Sequence, residues 1–141
     1  MPEPGRILGL DLGDVRIGVA ISDPNRRVAV PLGTVHAGAP GDLKAIAKLI
    51  AELDVALVVV GHPLHMSGEA GVRAEQAERF AEALYASLGI TVVLHDERLS
   101  TVEADRALKA AGAKPRRRRR AVDRSAAAVI LQSYLDGLHA D

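Results

Sequence analysis

Asp11 stands inside an apolar run, between Leu10 and Leu12 of RILGLDL (6–12). Strand alternation puts it on the face of Ile7 and Gly9, and its same-face neighbours two residues away, Gly9 and Gly13, carry no side chain. An unpaired carboxylate in a buried strand is costly, so Asp11 asks for a cation, and the two glycines read as space cleared for an ion or phosphate. The plainer alternative is a strand-end Asp capping a turn. A second acidic group, Asp96-Glu97-Arg98, follows the apolar segment TVVLH (91–95). Ligands of parallel sheets sit at the carboxyl ends of strands. Alternation separates Asp96 and Glu97 onto opposite faces, so only one of them can face Asp11; alone, the triplet also reads as a polar loop with an internal ion pair. A third acid, Asp123, falls just inside a last helix expected over about 122–138. At about 100° per residue it shares a face with Ala127, Ile130 and Tyr134, which aims it at the sheet; capping the helix is its other natural role.

Carboxylates directed at one region of a chain without cysteine suit a hard divalent cation, Mg²⁺ or Mn²⁺. With the first strand beside the fourth and the fourth beside the fifth, Asp11 and Glu97 start two strand spacings apart, roughly 9.6 Å. Their side chains and one or two ions, about 3.5–4 Å apart in paired sites, span that gap. Such a centre activates water and stabilises the leaving oxygen of a phosphodiester. Arg16 and Arg98 can clamp phosphate through the guanidinium fork or serve structural ion pairs. His62 and His65 bracket Pro63 in a loop near the site, either contacting phosphate or joining proton transfer, or simply solvated.

Arg116 to Arg120 form an unbroken basic run, approached by Arg106, Lys109 and Lys114. The net charge is zero, but without that run 13 basic residues face 18 acidic ones, a net of −5. A single basic block on an acidic body, beside Asp123, points to local contact with a nucleic-acid backbone through Arg116, Arg117 and Arg118, although charge runs are usually solvated faces. Contacts of that kind are to phosphates, salt-sensitive and weakly sequence-specific.

The elements that must position these groups follow from pattern. Residues 6–12, 15–22 and 27–34 read as three short-connected strands, an antiparallel meander with Pro31 marking an edge. Leu43, Ile46, Leu49, Ile50 and Leu53 repeat at helical spacing over 41–53, the run 55–60 is a buried strand, and a helix is expected over 68–88. Strand 91–95 leads to the capping-box sequence Ser100-Thr101-Val102-Glu103 and a short helix to about 111, then an arginine loop and the last helix. The whole is α/β with a mixed sheet. At 141 residues, one domain spanning 1–141 buries roughly 70% of its unfolded surface. Absence of cysteine excludes disulfide scaffolds, zinc ribbons and thiol nucleophiles. Three aromatic residues, Phe80, Tyr85 and Tyr134, are too few for a base-stacking platform. No apolar run reaches the ~20 residues of a membrane span, and MPEPGRILGL lacks signal-peptide design; a soluble, cytoplasmic protein is expected.

The segments GLDLGDVRIGVAISD (9–23), VVVGHPLHMSG (58–68), LHDERLSTVEA (94–104) and VDRSAAAVILQSYL (122–135) resemble the YqgF/RuvX family, ribonuclease H-like proteins related to Holliday junction resolvases and associated with pre-16S rRNA processing. The resemblance runs through nearly the whole chain in order. It implies a five-stranded sheet in the order 3-2-1-4-5 with helices on both faces, assigns the catalytic and metal-holding acids to Asp11, Glu97 and Asp123, and places the 61–68 loop and Arg98 beside the site. Departures are Asp14 where the family has Thr or Ser, Val15 in place of Lys or Arg, and Gly61-His62-Pro63-Leu64-His65 for Gly-Leu-Pro-Leu-Asn; they bear on substrate preference more than on chemistry. The expected activity is metal-dependent endonucleolytic cleavage of structured RNA, at the 5′ end of pre-16S rRNA, by a monomer or homodimer. Competing readings are a resolvase of four-way DNA junctions, a non-catalytic RNA-binding module, and a sugar-kinase or actin-like nucleotide binder, which would need two such domains.

Overall fold

The computed structural model describes residues 5–100 and 125–140. Along the chain run β1 (Arg6–Leu12), β2 (Arg16–Ser22), β3 (Ala29–His36), α1 (Gly41–Glu52), β4 (Val55–His62), α2 (Val72–Leu88), β5 (Thr91–Asp96), a single 3₁₀ turn (Glu97–Leu99) and α3 (Ala126–Leu138). The sheet order is β3-β2-β1-β4-β5, as the resemblance implies. β1 pairs antiparallel with β2 and parallel with β4, and β4 pairs parallel with β5.

Period-two alternation sorts the strand residues into two cores. Leu8, Leu10, Ile17, Val19, Val58 and Val60 face α1 and α2, meeting Ile46, Ala77 and Leu84. Ile7, Ala20 and Val59 face the opposite way, onto Ala127, Ile130, Leu131 and Leu135 of α3. The α3 face is built from smaller residues, and this lets the helix lie close. A Cβ on Gly9 would fall 2.7 Å from the Leu131 Cβ and 3.3 Å from the Ala127 carbonyl.

Several boundaries differ from the sequence expectation. β3 starts at Ala29 instead of 27, because the Asp23 carboxylate accepts from the Arg27 and Val28 amides at 2.7 and 2.8 Å and holds the turn two residues longer. α2 begins at Val72 instead of 68: Gly68 takes φ +92°, and a turn closed by Gly68 N–H to the His65 carbonyl (2.8 Å) occupies the gap. α3 begins at Ala126, where the Ser125 hydroxyl accepts from the Ala128 amide. Ser125 is thus the N-cap of this helix. Asp123, the short helix expected to about 111 and the Arg116–Arg120 run lie outside the described residues.

Candidate active site

Asp11 sits on β1 with Gly18 of β2 as its Cα partner, and it is half-buried. It lies on the α3 face: a Cβ on Gly18 would stand 3.7 Å from the Asp11 Cβ and 3.5 Å from the Ala127 Cβ. The flanking glycines are not empty space for a ligand. Leu131 occupies the room above Gly9, and Gly13 belongs to the tight β1–β2 turn, its amide donating to the Arg16 carbonyl at 2.9 Å.

Glu97 falls on the face of Thr91, Val93 and His95, where strand alternation places it. It opens the 3₁₀ turn directly after β5, and its carboxylate lies over Gly61 of β4. Its Oε2 is 3.1 Å from where a Gly61 Cβ would be. The side chain is only 1% exposed. Since Leu10 pairs with Val60, Gly61 is level with Asp11 on the next strand. From its start two strand spacings away, the Glu97 side chain thus reaches in over β4, the strand next to that of Asp11. Asp96 turns the other way, as expected. It caps the 3₁₀ turn and takes the Arg98 fork at 3.0, 3.0 and 2.6 Å. These hydrogen bonds from Arg98 hold the Asp96 carboxyl below its ordinary pKa, against the opposing effect of burial.

The expected substrate-contact residues divide. Arg16 is exposed, and alternation with Gly18 and Ala20 puts it on the Asp11 face. The Arg98 side chain instead ties the loop to the turn, pairing Asp96 and donating to the Met66 carbonyl at 3.3 Å. His62 points to the other face, where its Nε2 meets Glu78 of α2 at 2.7 Å, and this corrects its expected place beside the acids. The His65 ring lies against Gly71, 2.5 Å from the position a Cβ would take, so it packs within its own loop. Sequence pattern missed Arg73. From the first turn of α2 its guanidinium donates to the Leu12 carbonyl at 3.3 Å, one residue beyond Asp11. Among the described residues neither Arg16 nor Arg73 forms an ion pair. A link across 61 positions leaves no local signal.

His95 and Ser133, also unpredicted as site components, bond at 2.9 Å beneath the Glu97 turn. Burial lowers the His95 pKa, with Asp96 opposing. Among the described residues no cluster of three His, Cys, Asp or Glu side chains forms a metal cage. Asp11 and Glu97 offer oxygen donors only, the chemistry of a hard divalent ion.

A family model described as "RuvX: Holliday junction resolvase" matches residues 5–137. The chain belongs to this family. Among its relatives, the "Putative pre-16S rRNA nuclease" of Chloroflexus aggregans is 50% identical over 131 residues, 92% of each chain. A protein of the same description from an Anaeromyxobacter species is 49% identical over 136 residues, 96% of this chain and 99% of that one. Two solved structures of Thermus thermophilus RuvC, one bound to a Holliday junction substrate, superpose with TM-scores of 0.55 and 0.53. They are 13% and 14% identical, covering 94% and 95% of this chain and 95% of each of theirs. That likeness shows a shared RuvC-like ribonuclease H fold. No described helix of this RuvX protein is long and apolar enough to cross a membrane.

Proposed function

We propose that this RuvX protein is an endonuclease that hydrolyses phosphodiester bonds in structured RNA, processing the 5′ end of pre-16S rRNA. The observation that carries the reading is the convergence of Asp11 and Glu97 on one side of the sheet at the carboxyl ends of β1 and β4. The description of the curated relatives supports the RNA substrate. Asp11 and Glu97, with Asp123, would hold one or two Mg²⁺ or Mn²⁺ ions. When bound, such ions supply Lewis acidity to the phosphate and lower the pKa of water.

The chain's own residues supply the rest. Asp11 is fixed by the central strand. Glu97 is kept from bulk water by burial against Gly61 and Ile130. Arg16 and Arg73 flank the end of β1 with guanidinium groups available to phosphate oxygens. The run Arg116–Arg118 extends the phosphate contacts. The family model's description favours one second reading, cleavage of four-way DNA junctions, for which a homodimer making paired cuts is the natural form.

Asp11→Asn keeps the shape of the side chain and removes its charge. It should abolish cleavage with Mg²⁺ or Mn²⁺ while leaving fold and RNA binding near wild type; wild-type cleavage by this variant refutes the assignment. Running pre-16S rRNA and a synthetic junction side by side decides the substrate. Faster, paired cutting of the junction would establish the resolvase reading instead.

A further inference from the structure

β5 is an edge strand of the described sheet, and it leads directly into the turn that carries Glu97. The Arg98 amide donates to Asp96, and the Ser100 amide and hydroxyl both reach the Glu97 carbonyl, at 3.0 and 2.9 Å. Among the described residues, one tie across to α3 passes through a hydroxyl. Ser133 Oγ donates to the Leu99 carbonyl at 2.9 Å. A serine hydroxyl has a single proton, so its 2.9 Å contact with His95 Nε2 has the ring N–H donating and the hydroxyl accepting. The polarity of the chain is thereby set: His95 Nε2–H to Ser133 Oγ–H to the Leu99 carbonyl. Bonds aligned in this sense reinforce one another. Tyr134, the next residue on α3, meets the His95 ring edge-on, with centroids 5.8 Å apart and planes at 88°.

His95 lies two residues before Glu97 and Leu99 two residues after it, and both are fastened to Ser133. One turn back along α3, Ile130 packs at the Gly61 position that the Glu97 carboxylate also covers. We infer that Ser133, acting with His95, is a positioning residue that fixes the Glu97 carboxylate over Gly61 and opposite Asp11. The link to metal affinity rests on the nuclease reading above; the mechanical link does not.

The test uses the full chain with Ser133→Ala and His95→Phe, which break the relay, and Ser133→Thr and His95→Gln, which keep a hydroxyl and an N–H donor. Amide hydrogen exchange at Arg98 and Ser100, measured without metal, should speed up at least tenfold in the first pair and return toward wild type in the second. Mn²⁺ alone, titrated calorimetrically, should bind about 10- to 100-fold more weakly to Ser133→Ala, the range for removing a group that orients a ligand. Cleavage should lose kcat with KM for RNA little changed. Unchanged exchange in both relay-breaking variants overturns the inference, as does weakened Mn²⁺ binding that Ser133→Thr and His95→Gln both fail to restore. Should wild-type protein bind no Mn²⁺ and cut nothing, the nuclease reading fails, and the exchange measurement alone still decides the positioning role.

Discussion

Gly61→Ala separates the packing of the α3 face from the placement of a carboxylate. The new methyl would lie 2.7 Å from Ile130 Cδ1 and 3.1 Å from Glu97 Oε2. Overpacking a filled core costs about 1–3 kcal/mol. Cδ1 is the far end of a side chain that can turn, so the lower part of that range applies, about 1 kcal/mol, or roughly 3–5 °C in Tm at this chain length. The carboxylate must retreat by some tenths of an ångström, and misplacement approaching 1 Å costs up to ~10²-fold in rate. The expected single variant is therefore slightly less stable and about tenfold or more slower in kcat. Adding Ile130→Val deletes the Cδ1 carbon, removing one contact and leaving the other. Thermal unfolding and single-turnover RNA cleavage should show the double variant regaining stability but not rate. Wild-type kcat in Gly61→Ala, or full recovery of rate in the double variant, would refute the placement of Glu97.

Arg73→Ala and Arg16→Ala should each weaken RNA binding and lower the slope of log K against log salt by about 0.7–0.9, one phosphate contact apiece; filter binding in the Asp11→Asn background measures this apart from cleavage, and unchanged slopes would remove both from the interface. Asp23 gives a pH prediction. The Val28 and Arg27 amides hold its folded-state pKa below 3.8, so its contribution is fully present above the unfolded-state value, declines below it and is gone beneath the folded-state value. Asp23→Asn keeps an acceptor but cannot titrate. The stability gap between wild type and this variant, from urea unfolding at pH 5 and pH 2.5, should narrow at the lower pH, and a constant gap would count against the turn geometry.

The legible part of the fold was local. Alternation in RILGLDL places Asp11 on a known face, and the parallel β4–β5 pair follows from apolar runs separated by a helical pattern. The illegible part depends on contacts between distant residues. Gly9 looks like a vacancy until Leu131 arrives from α3, 122 positions later. His62 and Gly61 adjoin in sequence but face opposite sides of β4, one against α2 and the other beneath Glu97. Loop proximity therefore suggested a place beside Asp11 and Glu97, whereas strand parity puts His62 on the α2 face. Extending the alternation by two more residues, from Val60 to His62, would have placed it on the α2 side in advance.

The two faces of the sheet differ in what they can tolerate. On the α1–α2 side, Leu, Ile and Val fill the gap to the helices, and a small shift there is absorbed by rotamers. On the α3 side the helix rests almost directly on glycines, with Leu131 Cβ over Gly9 and Ile130 over Gly61. The Leu131 Cβ is fixed to the backbone and cannot turn away, so displacement of α3 passes directly to β1 at Gly9, whereas the Ile130 Cδ1 at Gly61 can turn; α3 also reaches further. What it touches includes, through Ser133, the turn carrying Glu97, and, through Ala127, the strand pair carrying Asp11. Close packing on this face therefore ties α3 to both segments that carry Asp11 and Glu97. Under the nuclease reading proposed above, the glycines that admit this contact serve the site although they bring no chemistry of their own.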